Sequence, residues 1–236
     1  MAFYDIFLPN SVPRHSRRVA DRDAQAEDRE ASFAWLSENG TAEGLLGLCG
    51  RFNLHLEHHL KDRKEKEVVM DYLAEHAEAG ASAARKFCFQ SVNFQNAMRV
   101  VERVKGEAVA TDLLLELLAV ESVDEEFKIE KKRNLLICLV ERKDVRIVVA
   151  AAPYLADFDE GVRNAAVEAL AAQEGEGPRD PLFAALTRER EESTRIRGRI
   201  ADVFATRRWS VAGNDWLLAN IPHGFRHADA RLISER

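Results

Sequence analysis

Cysteine is scarce: three residues, Cys49, Cys88 and Cys138, each set among apolar neighbours. That usage excludes a disulfide scaffold and reads as free buried thiols in a reducing compartment. Proline and glycine are sparse too, six and twelve residues, which argues against long disordered linkers. No apolar run reaches the roughly 18 residues a membrane span needs. The opening Met-Ala-Phe-Tyr-Asp-Ile-Phe-Leu-Pro lacks the basic front of a secretory signal, so a cytoplasmic location is the expectation. Runs of β-branched or aromatic residues bounded by turns are few, so strands are not required. A net charge of −6 argues against a generic nucleic-acid clamp. Nucleophile elbow, Gly-rich phosphate loop, dinucleotide fingerprint, paired cysteines and His-Glu-x-x-His are all missing, so no catalytic residue, cofactor or metal site is assigned.

What the chain does have is a recurring short amphipathic helix. Val162, Ala165, Ala166, Ala169 and Leu170 fall at i, i+3, i+4, i+7 and i+8, one stripe of a helix. Ile196, Ile200, Val203 and Phe204 fill the same slots further on, with Arg199 in the one polar slot. Upstream copies read Leu135, Leu136, Leu139 and Val140 with Lys132 in the first slot, then Phe94, Ala97, Met98 and Val101. Two more read Val68, Val69, Tyr72 and Leu73, and Ala31, Ser32, Trp35 and Leu36. Equivalent positions recur at roughly 29 to 38 residues, the spacing of a repeat array. Partner helices lie between the copies, most clearly at 107–119, 144–156 and 181–190. Pro153 should bend or end the second of these.

Asp159-Glu-Gly-Val-Arg-Asn-Ala-Ala-Val-Glu-Ala-Leu resembles the second helix of a HEAT repeat, of the short bacterial kind also seen in phycobilisome-lyase-like proteins. Asp28-Arg29 with Ala31 and Leu36, and Thr194-Arg195 with Ile196, match the same pattern in part. The resemblance covers residues 144–208 specifically and 24–142 more weakly. It implies an all-α fold, a right-handed, armadillo-like α-solenoid of about six helix pairs. The whole chain would then be one repeat domain: 1–23 an N-terminal cap and first helix, 24–208 the repeats, 209–236 a C-terminal cap and tail. It also implies a ladder between neighbouring repeats in which Asp159 and Arg163 take part. Tetratricopeptide repeats have a similar period, but their Trp, Gly-Tyr and Pro signature is absent.

The resemblance places the second helices on the concave side. Arg29, Lys66, Arg99, Arg103, Lys132, Arg163, Arg195 and Arg199 lie on or near them, a basic-leaning row. Arg29, Lys66, Arg99, Lys132, Arg163, Arg195 and Arg199 are therefore the candidate residues for binding a protein partner. The expected function is a non-catalytic protein–protein interaction scaffold. Bacterial alkylpurine DNA glycosylases also use HEAT repeats, which makes a nucleic-acid-binding relative the alternative; the acidic net charge counts against it. A bilin-lyase-like activity is a further alternative that would require a deep apolar cleft.

Other stretches take plainer readings. Phe3, Tyr4, Ile6, Phe7 and Leu8 would cap the first repeat, and Arg14, His15, Arg17 and Arg18 would form a solvated face. Residues 42–52 read as a partner helix interrupted by Gly44, Gly47 and Gly50, where close packing or a ragged helix is expected. Residues 53–62 read as an inserted loop, its His55, His58 and His59 as surface histidines rather than zinc ligands. The acidic run from Glu107 to Glu126, followed by Lys128, Lys131, Lys132 and Arg133, reads as solvated charge or a bipolar surface. Trp209, Trp216, Leu217, Leu218 and Ile221 would cover the last repeat, with a short helix over 215–220 and a polar tail, 226–236, whose Leu232 and Ile233 either dock or fray.

Overall fold

The computed structural model describes residues 10–121, 123, 128–189 and 193–235. The apolar residues expected to cap the first repeat (Phe3 to Leu8), and Asp124 to Glu126 of the acidic run, lie outside them. The described chain is predominantly helical, with thirteen α-helices and one small hairpin. Two compact units divide it, residues 1–113 and 114–236.

In the first unit, α1 (Val12–Val19), α2 (Ala26–Asn39) and α3 (Ala42–Cys49) are followed by a 3₁₀ turn, Gly50–Asn53. Then come α4 (His59–Glu75), α5 (Ala77–Gln90) and α6 (Gln95–Lys105), with α7 (Glu107–Val120) crossing the unit boundary. Helices alternate between two sets. Helix α1 touches α3 and α3 touches α5, while α2 touches α4 and α4 touches α6. The apolar stripes explain the second set: Ala97, Met98 and Val101 are buried on α6, and Val69 and Leu73 on α4. On α2 and α4 the buried face sits one residue away from the expected stripe. Phe33 and Met70 are buried where Ala31 and Val68 were expected. Charged Arg29 and Glu65 occupy the buried first slots and meet each other there.

Close helix approach accounts for two of the glycines. A methyl group on Gly47 would lie 2.0 Å from Ser16 Oγ and 3.0 Å from its Cβ, so even with the hydroxyl turned away α3 and α1 leave little room for a side chain there. On Gly80 it would lie 1.8 Å from the Leu73 carbonyl oxygen, where α5 turns back on α4. The expected partner helix over 42–52 is thus closely packed and also tightens into 3₁₀ geometry at its end. His15 differs from its expected solvated role: its ring stacks on Trp35 at 4.2 Å and its Nδ1 lies 3.0 Å from Ser32 Oγ. Burial, with the nearby charges of Arg18 and Arg14, pulls its pKa down.

The second unit holds α8 (Ile129–Val140), α9 (Val145–Ala151), a 3₁₀ turn (Ala152–Ala156) and α10 (Glu160–Ala171). After them come α11 (Arg179–Leu186), α12 (Thr194–Arg207) and α13 (Asp215–Ala219). Pro153 acts as expected: the α-helix stops at Ala151 and the chain continues as the 3₁₀ turn. Helix α10 touches both α8 and α12, while α11 packs on the 3₁₀ turn and α12. Side-chain caps start these helices, Asp144 accepting from the Arg146 amide, Asp159 from Val162 and Ser193 from Ile196. All five stripe residues of α10 are buried, as are Ile196, Ile200 and Phe204 of α12.

The chain's end departs from the expected polar tail. Residues Phe225–Ala228 (β1) and Arg231–Ser234 (β2) form an antiparallel hairpin, with Phe225 opposite Ser234 and Ala228 opposite Arg231. Asp229 and Ala230 both take positive φ, the geometry of the tight hairpin turn. Leu232 and Phe225 are buried, and Trp209 packs edge-on against Phe204 at 5.2 Å. Among the expected cover residues Leu217 is buried and Leu218 is exposed.

Candidate partner-binding groove

Three of the seven candidate arginines and lysines do not reach the surface. Arg29 is buried and donates to Glu65, through Nη2 to Oε1 at 2.9 Å and Nε to Oε2 at 3.1 Å. Glu65 also accepts from Nε of Arg51, a fully buried residue, at 2.9 Å. Arg51 reaches on to Asp62 at 2.8 Å, and Lys66, buried as well, meets the other oxygen of Asp62 at 2.6 Å. Burial pushes both carboxyls up, and the hydrogen bonds from these cations outweigh it. Asp62 ends at about 2, and Glu65 ends below its ordinary value. Lys132 is 0 % exposed and sits 2.6 Å from the equally buried Asp157. One physical reason accounts for the burial of all three. A charge in an apolar slot of a packed helix must be neutralised where it stands, and its pairing partner has followed it inside.

The segment expected to be an inserted loop serves this network. The Leu54 carbonyl accepts from Arg51 Nη1, and the Leu56 amide donates to Asp62. His58 caps α4, its Nδ1 accepting from the Lys61 amide. Among the described residues no three His, Cys, Asp or Glu side chains converge on a metal position.

The other four candidates differ. Arg99 is exposed on α6. Arg163 is half-buried and donates to the carbonyls of Asp157 and Phe158, holding the start of its own helix. Arg195 and Arg199 are exposed, and with Gly198 and Asp202 they share the face of α12 at i, i+3, i+4 and i+7. These four line a cleft of about 600 Å³. Its other wall is the turn 220–223, ending in exposed His223.

Arg197 builds that wall. Its guanidinium lies over the Trp216 ring at 4.8 Å and donates to the Asn220 carbonyl at 2.6 Å. Arg199 pairs with Glu168 of α10 at 2.8 Å, half exposed. Arg195 and Asp202, both exposed in the cleft, make no ion pair with a described residue. A second cavity of about 460 Å³ shares Arg199 and Asp202 and continues across α10 to α8, over Val140, Ala171, Ala172 and Val203. Arg199 and Asp202 form the ridge of α12 between the two cavities, one facing the turn 220–223 and the other lying over α10 and α8.

Spacing alone located Arg195 and Arg199. It did not locate Arg197, Asn220 or His223, because the wall is brought round by α13, far along the chain. The signal available was Gly198 inside a helix, a residue that weakens the helix by about 1 kcal/mol against alanine. A methyl group there would meet nothing within 4 Å, so packing does not explain the glycine. Comparison with family models, with curated proteins and with solved structures returns no match to this chain.

Proposed function

We propose that this chain is a non-catalytic protein–protein interaction scaffold, a right-handed α-solenoid of about six HEAT-like helix pairs whose second helices carry the partner surface. The contacts of α2 with α4 and α4 with α6 in one unit, and of α8 with α10 and α10 with α12 in the other, support the solenoid reading. The observation that carries the binding reading is the pair of open clefts flanking α12, one over α8 and α10 and one against the turn 220–223, with Arg199 between them and Arg195 on the second. A continuous basic track, which a nucleic-acid partner would require, is interrupted here by Glu168 and Asp202.

The test is an affinity pull-down of the full chain from native cytosol, divided in two, with nuclease added to one half. A discrete protein that survives nuclease supports the scaffold. Partners that vanish with nuclease, leaving co-purified nucleic acid, overturn it in favour of a nucleic-acid-binding protein.

A further inference from the structure

His15 of α1 sits in a hydrogen-bond arrangement that only its uncharged ring completes. Ser32 Oγ on α2 donates to the Asp28 carbonyl at 2.9 Å, since a carbonyl only accepts. The hydroxyl's one hydrogen is thereby used, so across the 3.0 Å contact with Nδ1 the ring must donate. That fixes the Nδ1–H tautomer and leaves a bare lone pair on Nε2. Nε2 is buried without a hydrogen-bond partner among the described residues. A proton taken up there would make a buried N–H with no acceptor, which folded proteins rarely tolerate. The charges that act on the ring oppose the proton too. They are Arg18 and Arg14 of its own helix, and burial pulls its pKa down ahead of both. Helix α1 packs on α2, α3 and the 3₁₀ turn. The arginines of those elements, Arg29 and Arg51, are turned onto Glu65. Their carboxylates, Glu27, Asp28, Glu30 and Glu38 of α2 and Glu43 of α3, lie exposed. The Trp35 face, stacked at 4.2 Å, attracts a cation but supplies no acceptor for Nε2.

We infer that α1 is an acid-released latch: a neutral His15 keeps it docked on α2 and α3, and protonation of Nε2 frees it, uncovering Trp35 and the Gly47 face of α3. Little else holds α1 in place. It has eight residues, its only buried one is Val19, and a helix that short is marginal in water without packing. Release therefore unwinds the segment as well as undocking it. The docked ring takes its proton less readily than the free ring. Docking is thus at full strength above the ordinary histidine value of 6.5 and weakens as pH falls below it. One proton is involved, so the ratio of open to docked α1 rises by up to about tenfold per pH unit in that window. The latch works whatever partner the chain binds, and its pH window lies above that of the Asp62 and Glu65 carboxyls.

The experiment is hydrogen-exchange mass spectrometry of the full chain from about pH 8 to about pH 5, corrected for intrinsic exchange, comparing peptides of α1 with those of α10. Loss of protection below pH 6.5 that is confined to α1 and its contacts supports the latch. His15→Phe keeps an aromatic ring against Trp35 and cannot titrate, so its α1 protection should stay level with pH. Level protection of α1 in the parent, a slope retained in His15→Phe, or α10 opening in parallel overturns the inference. Ring-nitrogen NMR of the parent's histidines decides the matter without any variant. An Nδ1–H tautomer at neutral pH and a His15 midpoint below 6.5 support the latch. An Nε2–H tautomer, or a midpoint at 6.5 or above, overturns it, the second because the Trp35 face would then be stabilising the charged ring in place.

Discussion

Replacing Glu65 by Gln removes the carboxylate that two buried guanidiniums share. Glu65 accepts two hydrogen bonds from Arg29 and one from Arg51, with both arginines at 3 % exposure or less. Removing one member of a buried ion pair costs about 3–5 kcal/mol, because the other charge stays inside uncompensated. Gln keeps one acceptor oxygen, and Arg51 keeps Asp62 and the Leu54 carbonyl. The expected loss is therefore at the lower end, about 3 kcal/mol. Arg103→Ala is the control, since its pairs with Glu67 and Asp71 are roughly half exposed and worth less than about 1 kcal/mol. Hydrogen-exchange mass spectrometry under native conditions reads peptides of α2 and α4 separately from the second unit. A loss at Glu65→Gln below about 1 kcal/mol, or equal to that at Arg103→Ala, would refute the reasoning. The sign with pH follows from the same network. Asp62 and Glu65 have folded pKa values below their unfolded ones, so their stabilisation is complete above the unfolded values and is lost on acidification. For Asp62 that loss runs from its ordinary 3.8 down to about 2. Glu65 begins to lose its share below its ordinary 4.5, so protection of α4 should stay level above that value and fall progressively below it.

Three further outcomes follow from features of the fold. Lys132→Met strands Asp157 in the interior and should cost about 3–5 kcal/mol in urea unfolding; adding Asp157→Asn should recover a large part, since the amide carries no charge. Gly80→Ala drives a methyl group into the Leu73 carbonyl, and overpacking of that kind costs about 3 kcal/mol or more against a rigid backbone. Its thermal midpoint should drop well below the parent's, and an unchanged midpoint would contradict the close crossing of α4 and α5. Gly198→Ala goes the other way. With nothing within 4 Å of the new methyl, the helix should gain about 0.5–1 kcal/mol, and the melting temperature should rise by about 1–4 °C.

The stripes of α10 and α12 were legible because small and branched apolar residues fill nearly every slot, leaving one register. In α2 and α4 the register was ambiguous by one residue. Val68 and Met70 both flank Val69, and spacing cannot tell which side of the stripe turns inward. The deciding residues were Arg29 and Glu65, which look like surface charges in isolation and become core only as a pair 36 residues apart. Lys132 shows the same limit: its place in the first apolar slot was visible, but its neutraliser Asp157 lies beyond the intervening helix α9. The Arg195 and Arg199 side of the cleft could be read from helical spacing. Its second wall could not, since it depends on Arg197 holding Trp216 and the Asn220 carbonyl. The terminal hairpin is not legible in the sequence, because its turn, Asp229-Ala230, lacks the Asn-Gly or Asp-Gly signature that positive φ usually selects.

The Arg29–Glu65–Arg51–Asp62–Lys66 cluster bears on how such a chain can lengthen, shorten or be cut. Packed helices are often treated as interchangeable modules that can be excised at any connecting loop. Here the residues from Arg29 to Lys66 form one indivisible block, because a break between α2 and α4 would separate guanidiniums from the carboxylates that neutralise them. Excision of any one helix within that block would leave a buried charge without its partner. Shuffling at the junction between α2 and α4 would yield halves with charged faces rather than apolar ones, which repel a foreign neighbour's apolar stripe and so favour the native order of helices.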